Sequence, residues 1–87
     1  MTLNFPNPSR SYDARRRVVR FWGHDGALEV CFCVEQGAFT RLSPDAKLDE
    51  AGFLKAFDRF RDRILAVAAR VYSRGRADSY TLLTSDF

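Results

Sequence analysis

Two cysteines and a histidine are the side chains of this sequence with the clearest potential for chemistry. Cys31 and Cys33 are two residues apart, and His24 precedes them in the same region. A zinc site needs about four nitrogen or sulfur ligands in a tetrahedral arrangement, so these three side chains are too few. We therefore expect no metal and no other cofactor, and we interpret both cysteines as small, half-buried strand residues.

His24 and Asp25 resemble a general base and the carboxylate that orients it. However, His24 and Asp25 are adjacent in the sequence, and Gly26 follows them. Asp-Gly is a preferred dipeptide in hairpin turns, so a turn explains these residues better than a catalytic pair does. The sequence has no Gly-x-Ser-x-Gly context and no glycine-rich loop followed by Lys-Ser or Lys-Thr. We therefore expect that the protein is not an enzyme and that it has neither a catalytic residue nor a small-molecule substrate. A thiol-dependent enzyme that uses Cys31 is the remote alternative.

Arginines form the one grouping of charge with a clear binding mechanism. The net charge is +3, and twelve of the fourteen cationic residues are arginine. The candidate contacts are Arg15, Arg16, Arg17 and Arg20 with Trp22 nearby, and a helical stripe of Arg59, Arg63, Arg70 and Arg74. Arginines beside an aromatic ring are suited to contact phosphates while the ring stacks on unpaired bases. A solvated face whose arginines pair with carboxylates is the other interpretation.

A β-hairpin over residues 17–35 must position His24, Trp22 and the cysteines. Two β-rich runs flank residues 23–26, and a two-residue Asp25-Gly26 turn would pair His24 with Ala27. The same count pairs Phe21 with Val30, Val19 with Phe32 and Trp22 with Glu29. One face of the hairpin then collects the apolar residues Val19, Phe21, Leu28, Val30, Phe32 and Val34.

A long amphipathic helix is predicted over residues 50–74. Asp49 is a suitable N-cap, with Leu48 before it as a hydrophobic staple. The buried side steps by four and three residues through Phe53, Phe57, Phe60, Ile64, Val67 and Val71. Beside it lies an apolar strip that we call the shoulder, formed by Leu54, Leu65 and Tyr72. The shoulder either completes the core or forms a self-association surface.

The remaining segments complete one domain over residues 1–87. Pro6 and Pro8 make residues 1–16 an extended arm or edge strand, because proline cannot donate to a ladder. Residues 38–42 predict a short helical turn, and residues 80–84 a C-terminal strand. We expect a two-layer α+β fold, with one long and one short helix on one face of an antiparallel sheet of three to four strands.

The sequence also bears on the compartment. Its longest apolar stretches are far shorter than the ~20 residues of a membrane span. The first residues lack the pattern of a secretory signal, and cysteines two apart in a strand are poorly placed for a disulfide. We therefore expect a cytoplasmic protein with no membrane contact.

Seven short motifs, spread in order along nearly the whole chain, resemble a known family. They are Phe5-Pro6-Asn7-Pro8, Ser11-Tyr12-Asp13, Val19-x-Phe21-Trp22-Gly23-x-Asp25, Phe57-Asp58, residues 61–64, Tyr72-Ser73-Arg74-Gly75 and Tyr80-x-Leu82-x-Thr84-x-Asp86-Phe87. Their order and spacing resemble the domain of unknown function 1488 family of short bacterial proteins. The resemblance implies a compact α+β domain in the bacterial cytoplasm, with no known activity, cofactor or catalytic residue to carry over.

We therefore expect a small non-enzymatic binding or accessory module with a regulatory role through protein contacts. Its partner is another protein or a second copy of the chain, and a homodimer would use the shoulder. The alternative is a small nucleic-acid-binding regulator that uses the arginine clusters.

Overall fold

The computed structural model describes residues 3–6, 9–45, 47, 49–73 and 79–87. These residues form a mixed sheet with helices packed on one side. Over these residues the strands are β1 (Leu3–Asn4), β2 (Arg10–Asp13), β3 (Val18–Asp25), β4 (Leu28–Glu35) and β5 (Ser79–Leu82). The helices over the same residues are α1 (Gln36–Leu42), α2 (Glu50–Arg59) and α3 (Arg61–Ser73), followed by a 3-10 turn at Thr84–Asp86. The expected α+β class is confirmed.

The predicted hairpin forms, but its turn is one residue later than expected. Asp25 pairs with Leu28, so that Gly26 and Ala27 occupy the turn and Phe21 lies opposite Phe32 rather than Val30. Gly26 has a φ of 61°, whereas Asp25 stays in the strand. Glycine at the first central position satisfies a tight hairpin turn without forcing an aspartate to positive φ. The pairing shifts by two residues, which leaves each side chain on its predicted face.

Leu28 stays on the predicted apolar face but is 52% exposed at the tip of the hairpin. The other five members, Val19, Phe21, Val30, Phe32 and Val34, are buried. Leu28 is the first residue of β4 and lies next to the turn, so it stands at the end of the sheet.

One edge of the sheet is built from the segment expected to be an extended arm or edge strand, residues 1–16. Within it β2 pairs antiparallel with the first half of β3, while β1 pairs with the last two residues of β3. At the opposite edge β5 runs parallel to β4, so the sheet is mixed and has five strands instead of three or four antiparallel ones. The helices between β4 and β5 carry the chain back to the same end of the sheet, and such a crossover produces a parallel pair.

The helix predicted over residues 50–74 is divided at Phe60, which has φ −107° and ψ 20°. The Phe60 N–H still donates to the Ala56 carbonyl, and the Phe60 carbonyl accepts from Ile64, so α2 and α3 join without a loop. The break changes which side of α3 is buried. Its buried residues are Ile64, Val67, Ala68 and Tyr72, whereas Val71 is only half-buried.

The N-terminus of α2 agrees with the prediction, because the Asp49 carboxylate accepts a hydrogen bond from the Gly52 N–H at 2.7 Å. The predicted staple residue Leu48 and the predicted helix end at residues 74–76 lie outside the described residues. The short helical turn expected at 38–42 is the longer helix α1, whose Phe39 and Leu42 are buried.

Aromatic rings join the two layers. Phe21 stacks on its cross-strand partner Phe32 at a centroid distance of 5.3 Å and meets Phe57 of α2 at 5.2 Å. Tyr12 of β2 stacks on Phe53, and Tyr80 of β5 stacks on Phe32. Each fully buried phenylalanine contributes about 1.5–3 kcal/mol relative to an exposed one. The sheet and α2 therefore depend on the same cluster.

A long-range hydrogen bond ties the end of α3 to the hairpin. The Tyr72 hydroxyl donates to the Asp25 carboxylate at 2.7 Å, and the Tyr72 ring meets Tyr80 edge-on. The pKa of Tyr72 is raised from its usual 10.0 to about 12. The hydrogen bond to Asp25 is the larger cause, and burial of the phenol is the smaller one. The folded state favours the protonated phenol, so this contribution to stability is complete at pH values below the pKa of Tyr72 in the unfolded chain. It is lost as pH rises toward the higher pKa of Tyr72 in the folded protein.

Replacement of Gly23 should show how closely the N-terminal arm packs on the sheet. A Cβ at Gly23 would lie 2.9 Å from the Phe5 ring and 3.0 Å from Leu3. We expect Gly23→Val to lower the free energy of unfolding by about 1–3 kcal/mol, because an overpacked site must displace its neighbours. Chemical denaturation measures the change. The cost should be smaller in a Phe5→Ala background, and an equal cost in both backgrounds would contradict this cause.

Tyr72→Phe should lower the melting temperature at pH 8, because it leaves Asp25 without its donor. The gap between wild type and variant should narrow as pH rises from about 9 to 11, since the wild-type unfolded state then releases the Tyr72 proton while the folded state retains it. Thermal unfolding followed by circular dichroism measures both curves. A gap that stays constant over this pH range would show that the Asp25 bond does not stabilise the fold.

Candidate functional site on the open face of the sheet

The helices all pack on one face of the sheet. Phe57 of α2 meets Phe21, Tyr72 of α3 meets Tyr80, and Phe39 of α1 packs beside Phe53 in the same core. The residues that alternate with this core therefore point the other way. Because α1, α2 and α3 lie on the core side, we call the opposite surface the open face. It comprises Asn4, Ser11, Asp13, Val18, Arg20, Trp22, His24, Glu29, Cys31, Cys33, Glu35, Ser79 and Thr81. Val18 and Cys33 are buried among their neighbours on this face, and the others are half-buried or exposed.

Trp22 lies at the centre of the open face. It is half-buried on β3, directly opposite Cys31 of β4, with Arg20 and His24 as its neighbours on the same strand. The sequence assigned Trp22 to a surface near arginines, and the structure places Arg20 beside it. An indole ring at the centre of a flat face provides a large contact area with little conformational entropy to lose.

The two thiols border the indole. Cys31 is half-buried and Cys33 is buried, and both are free. The pKa of the Cys31 thiol is raised, mainly because the thiol is partly buried and secondly because Cys33 lies beside it. The thiolate, which is the form that acts as a nucleophile or metal ligand, is therefore disfavoured. The His24 ring lies 3.9 Å from the carboxylate of Glu29, its cross-strand partner. No group of three metal-binding side chains occurs within the described ranges.

Charges of both signs surround the aromatic centre. Arg20 forms an ion pair with Asp13 of β2 at 2.5 Å across the lower part of the face. Hydrogen bonds from the Arg16 and Arg15 amides, with the Arg20 guanidinium, hold the pKa of the Asp13 carboxyl below its usual range. Glu35 at the end of β4 accepts hydrogen bonds from the amide and hydroxyl of Thr84.

The first arginine cluster lies at the end of the sheet. Arg15, Arg16 and Arg17 are exposed in the turn between β2 and β3, and Arg17 has a φ of 54°. Arg20 joins this cluster at the margin of the open face. The structure therefore brings four of the predicted arginines together around Asp13, at the start of β3.

The second arginine cluster belongs to the helical layer. Arg59 stands at the end of α2 with its guanidinium 5.3 Å from the Phe60 ring, Arg63 is exposed on α3, and Arg70 donates to the Asp86 carbonyl. Arg74 lies outside the described residues. Because the sheet separates Arg20 from the helices, the two clusters do not form one continuous basic surface through that residue.

The shoulder residues contact the core. Tyr72 is 9% exposed and its hydroxyl is bonded to Asp25, so the folded chain uses this side chain internally. Leu54 and Leu65 are half-buried and pack against the same core. Self-association through Leu54 and Leu65 stays a prediction.

Sequence reasoning missed the polar contacts that join distant segments. Arg10 of β2 makes two hydrogen bonds of 2.8 Å to the Asp58 carboxylate of α2, and they hold the pKa of Asp58 below its usual range. The spacing of 48 residues carried no signal for this pair. The alternation in β3 was a usable signal for the open face, since it already placed Arg20 and Trp22 opposite the core side.

A separate open cavity of about 500 Å³ lies beside the N-terminal half of α2. Its charged lining mixes Lys47, Lys55 and Arg59 with Asp45 and Asp49, and it shares no residue with the open face.

No helix within the described residues is both long and apolar enough to cross a bilayer.

The family comparison agrees with the motif resemblance. The model of a family described as "Protein of unknown function (DUF1488)" matches residues 3–83 of the 87-residue chain. No curated protein and no solved structure matches the chain significantly. The chain belongs to the DUF1488 family.

Proposed function

We propose that this DUF1488 protein is a small, non-enzymatic binding module whose open face docks a protein surface. The observation that supports it best is Trp22, half-exposed at the centre of a sheet face that no described helix covers. Tryptophan dominates binding energy in protein interfaces when a partner excludes water around it. A binding module of this kind would act as an accessory or regulatory protein.

The charge of the open face favours a protein over a polyanion. Its basic side chains are Arg20 and His24, and its acids are Asp13, Glu29 and Glu35. A phosphate backbone would meet more carboxylates than cations there, whereas a protein rim offers both signs.

The remaining chemistry also supports binding rather than catalysis. The raised pKa of Cys31 disfavours the nucleophilic thiolate, and the Asp25 carboxylate is engaged by Tyr72 rather than by His24. A bacterial cytoplasm suits a chain whose two cysteines are both free.

A direct test compares retention of partners by variants of the purified, immobilised chain. We expect Trp22→Ala to lose at least one protein that wild type retains from an extract of its own cells, because the indole is the centre of the contact. Leu28→Ala is the matched control, since Leu28 is a 52% exposed apolar residue at the hairpin tip whose strand position belongs to the opposite side of the sheet. Mass spectrometry quantifies the retained proteins. Identical sets for wild type and Trp22→Ala would refute docking through this face.

A second candidate function rests on the turn between β2 and β3. The Asp13 carboxylate bonds to the main-chain amides of Arg15 and Arg16, while their side chains and that of Arg17 are exposed together. Three adjacent guanidinium groups near Trp22 suit a single-stranded nucleic acid, with phosphates at the turn and a base on the indole. This candidate is the nucleic-acid-binding regulator.

Fluorescence anisotropy with labelled single-stranded RNA and duplex DNA tests this candidate. Binding through the turn should weaken by a decade or more between about 50 and 200 mM salt, and Arg15→Glu with Arg16→Glu should abolish it. Arg59→Glu with Arg63→Glu makes the same charge change on the helical layer and should have little effect. Flat anisotropy at both salt concentrations, or equal loss in both double variants, would exclude recognition by the turn.

A further inference from the structure

The two central strands of the open face carry opposite charges. On this face β3 contributes the basic side chains Arg20 and His24, of which Arg20 carries a positive charge, whereas β4 contributes the acids Glu29 and Glu35. Trp22 of β3 and Cys31 of β4 lie between these charged ends. The boundary between the two charges runs between β3 and β4, parallel to the strands. A two-fold rotation about this boundary places β3 of one copy over β4 of another, so the surface is complementary to itself.

We propose that the protein surface docked on the open face is the open face of a second copy, related by a two-fold axis parallel to β3 and β4 and lying between them. This inference rests on the proposed function and names its partner. Each β3 then lies over the β4 of the other copy. His24 faces the second copy's Glu29, Trp22 faces its Cys31, and Arg20 lies within reach of its Glu35.

The charges select this axis over the perpendicular one. A two-fold axis across the strands would place β3 on β3 and β4 on β4, so that Glu29 would face the second copy's Glu35. Like charges that lie directly opposite each other across an interface repel and weaken association. The axis parallel to the strands avoids this repulsion and adds attractive contacts at both ends of the face.

The dimensions of the open face suit a modest dimer. β3 and β4 have eight residues each, or about 27 Å, and the four strand positions across the sheet span about 19 Å. The projected area is roughly 500 Å², and protruding Trp22 and Arg20 enlarge the accessible area toward the ~800 Å² per partner of a standard interface. A reversible dimer in the micromolar range is therefore expected.

Sedimentation velocity of the purified chain tests the dimer without any other protein present. Between about 1 and 200 µM the mass should rise from 10.0 kDa toward twice that value, and Trp22→Ala should raise Kd at least about tenfold. Trp22 is the only tryptophan, so its fluorescence should shift to the blue and become less accessible to acrylamide over the same range. Leu65→Glu, on the helical layer, should dimerise like wild type.

A charge exchange tests the orientation of the two copies. His24→Glu and Glu29→Lys should each weaken self-association, because the first places two carboxylates opposite each other and the second removes the carboxylate that faces His24. An equimolar mixture should form a heterodimer in which one contact joins the introduced carboxylate to the introduced ammonium group and the other again joins His24 to Glu29. Circular dichroism confirms that each variant is folded, and the double variant His24→Glu with Glu29→Lys should dimerise as well.

The outcomes separate this inference from the proposed function. A chain that stays monomeric at 200 µM, or a dimer that survives Trp22→Ala but is lost in Leu65→Glu, would overturn the two-fold arrangement. Failure of the mixture to associate more tightly than either variant alone would overturn the axis. If the purified chain is monomeric and Trp22 is nevertheless needed to retain a different protein, docking through the open face stands and only its occupant changes.

Discussion

The sheet buries one of its two faces, and the rest of the structure depends on that constraint. Alternate residues of β3 and β4 direct Phe21 and Phe32 to one side, where they stack and meet Phe57. Three helices cover that side, whereas on the other side the described chain contributes only the 3-10 turn, which bonds Glu35 through Thr84. Because strand residues alternate strictly, the burial of one face determines which residues lie on the other. The open face is therefore a direct consequence of how the core is built.

Polar contacts between distant residues hold the margins of this arrangement. Arg10 and Asp58 join β2 to α2, Tyr72 and Asp25 join α3 to the hairpin tip, and Glu35 holds the 3-10 turn through Thr84. Each contact connects the helical layer or the C-terminal turn either to the edge strand β2 or to the end of a central strand. A small core leaves such margins partly wet, and a charge-assisted hydrogen bond there restricts the layers to one relative position.

The same separation of layers divides the basic residues. Arg15, Arg16, Arg17 and Arg20 belong to the sheet side, whereas Arg59, Arg63 and Arg70 belong to the helices. A net charge of +3 is therefore distributed over two surfaces and does not describe either one. On the open face itself the cations stand beside carboxylates, and this mixture favours a protein partner with charges of both signs.

The sequence by itself determined the local elements and their faces. Alternation in β3 and β4, the aspartate cap of α2, the positions of Phe53 and Phe57 and the general α+β class all follow from periods of a few residues, which local sterics and burial control. Trp22 and Arg20 were likewise assignable to a common face. Only the tertiary structure decided that β5 runs parallel to β4, that Phe60 divides the long helix, that Tyr72 is bonded to Asp25, and that Arg10 meets Asp58. These features join residues far apart in the chain, and their free energy depends on how whole layers pack, which no local pattern encodes.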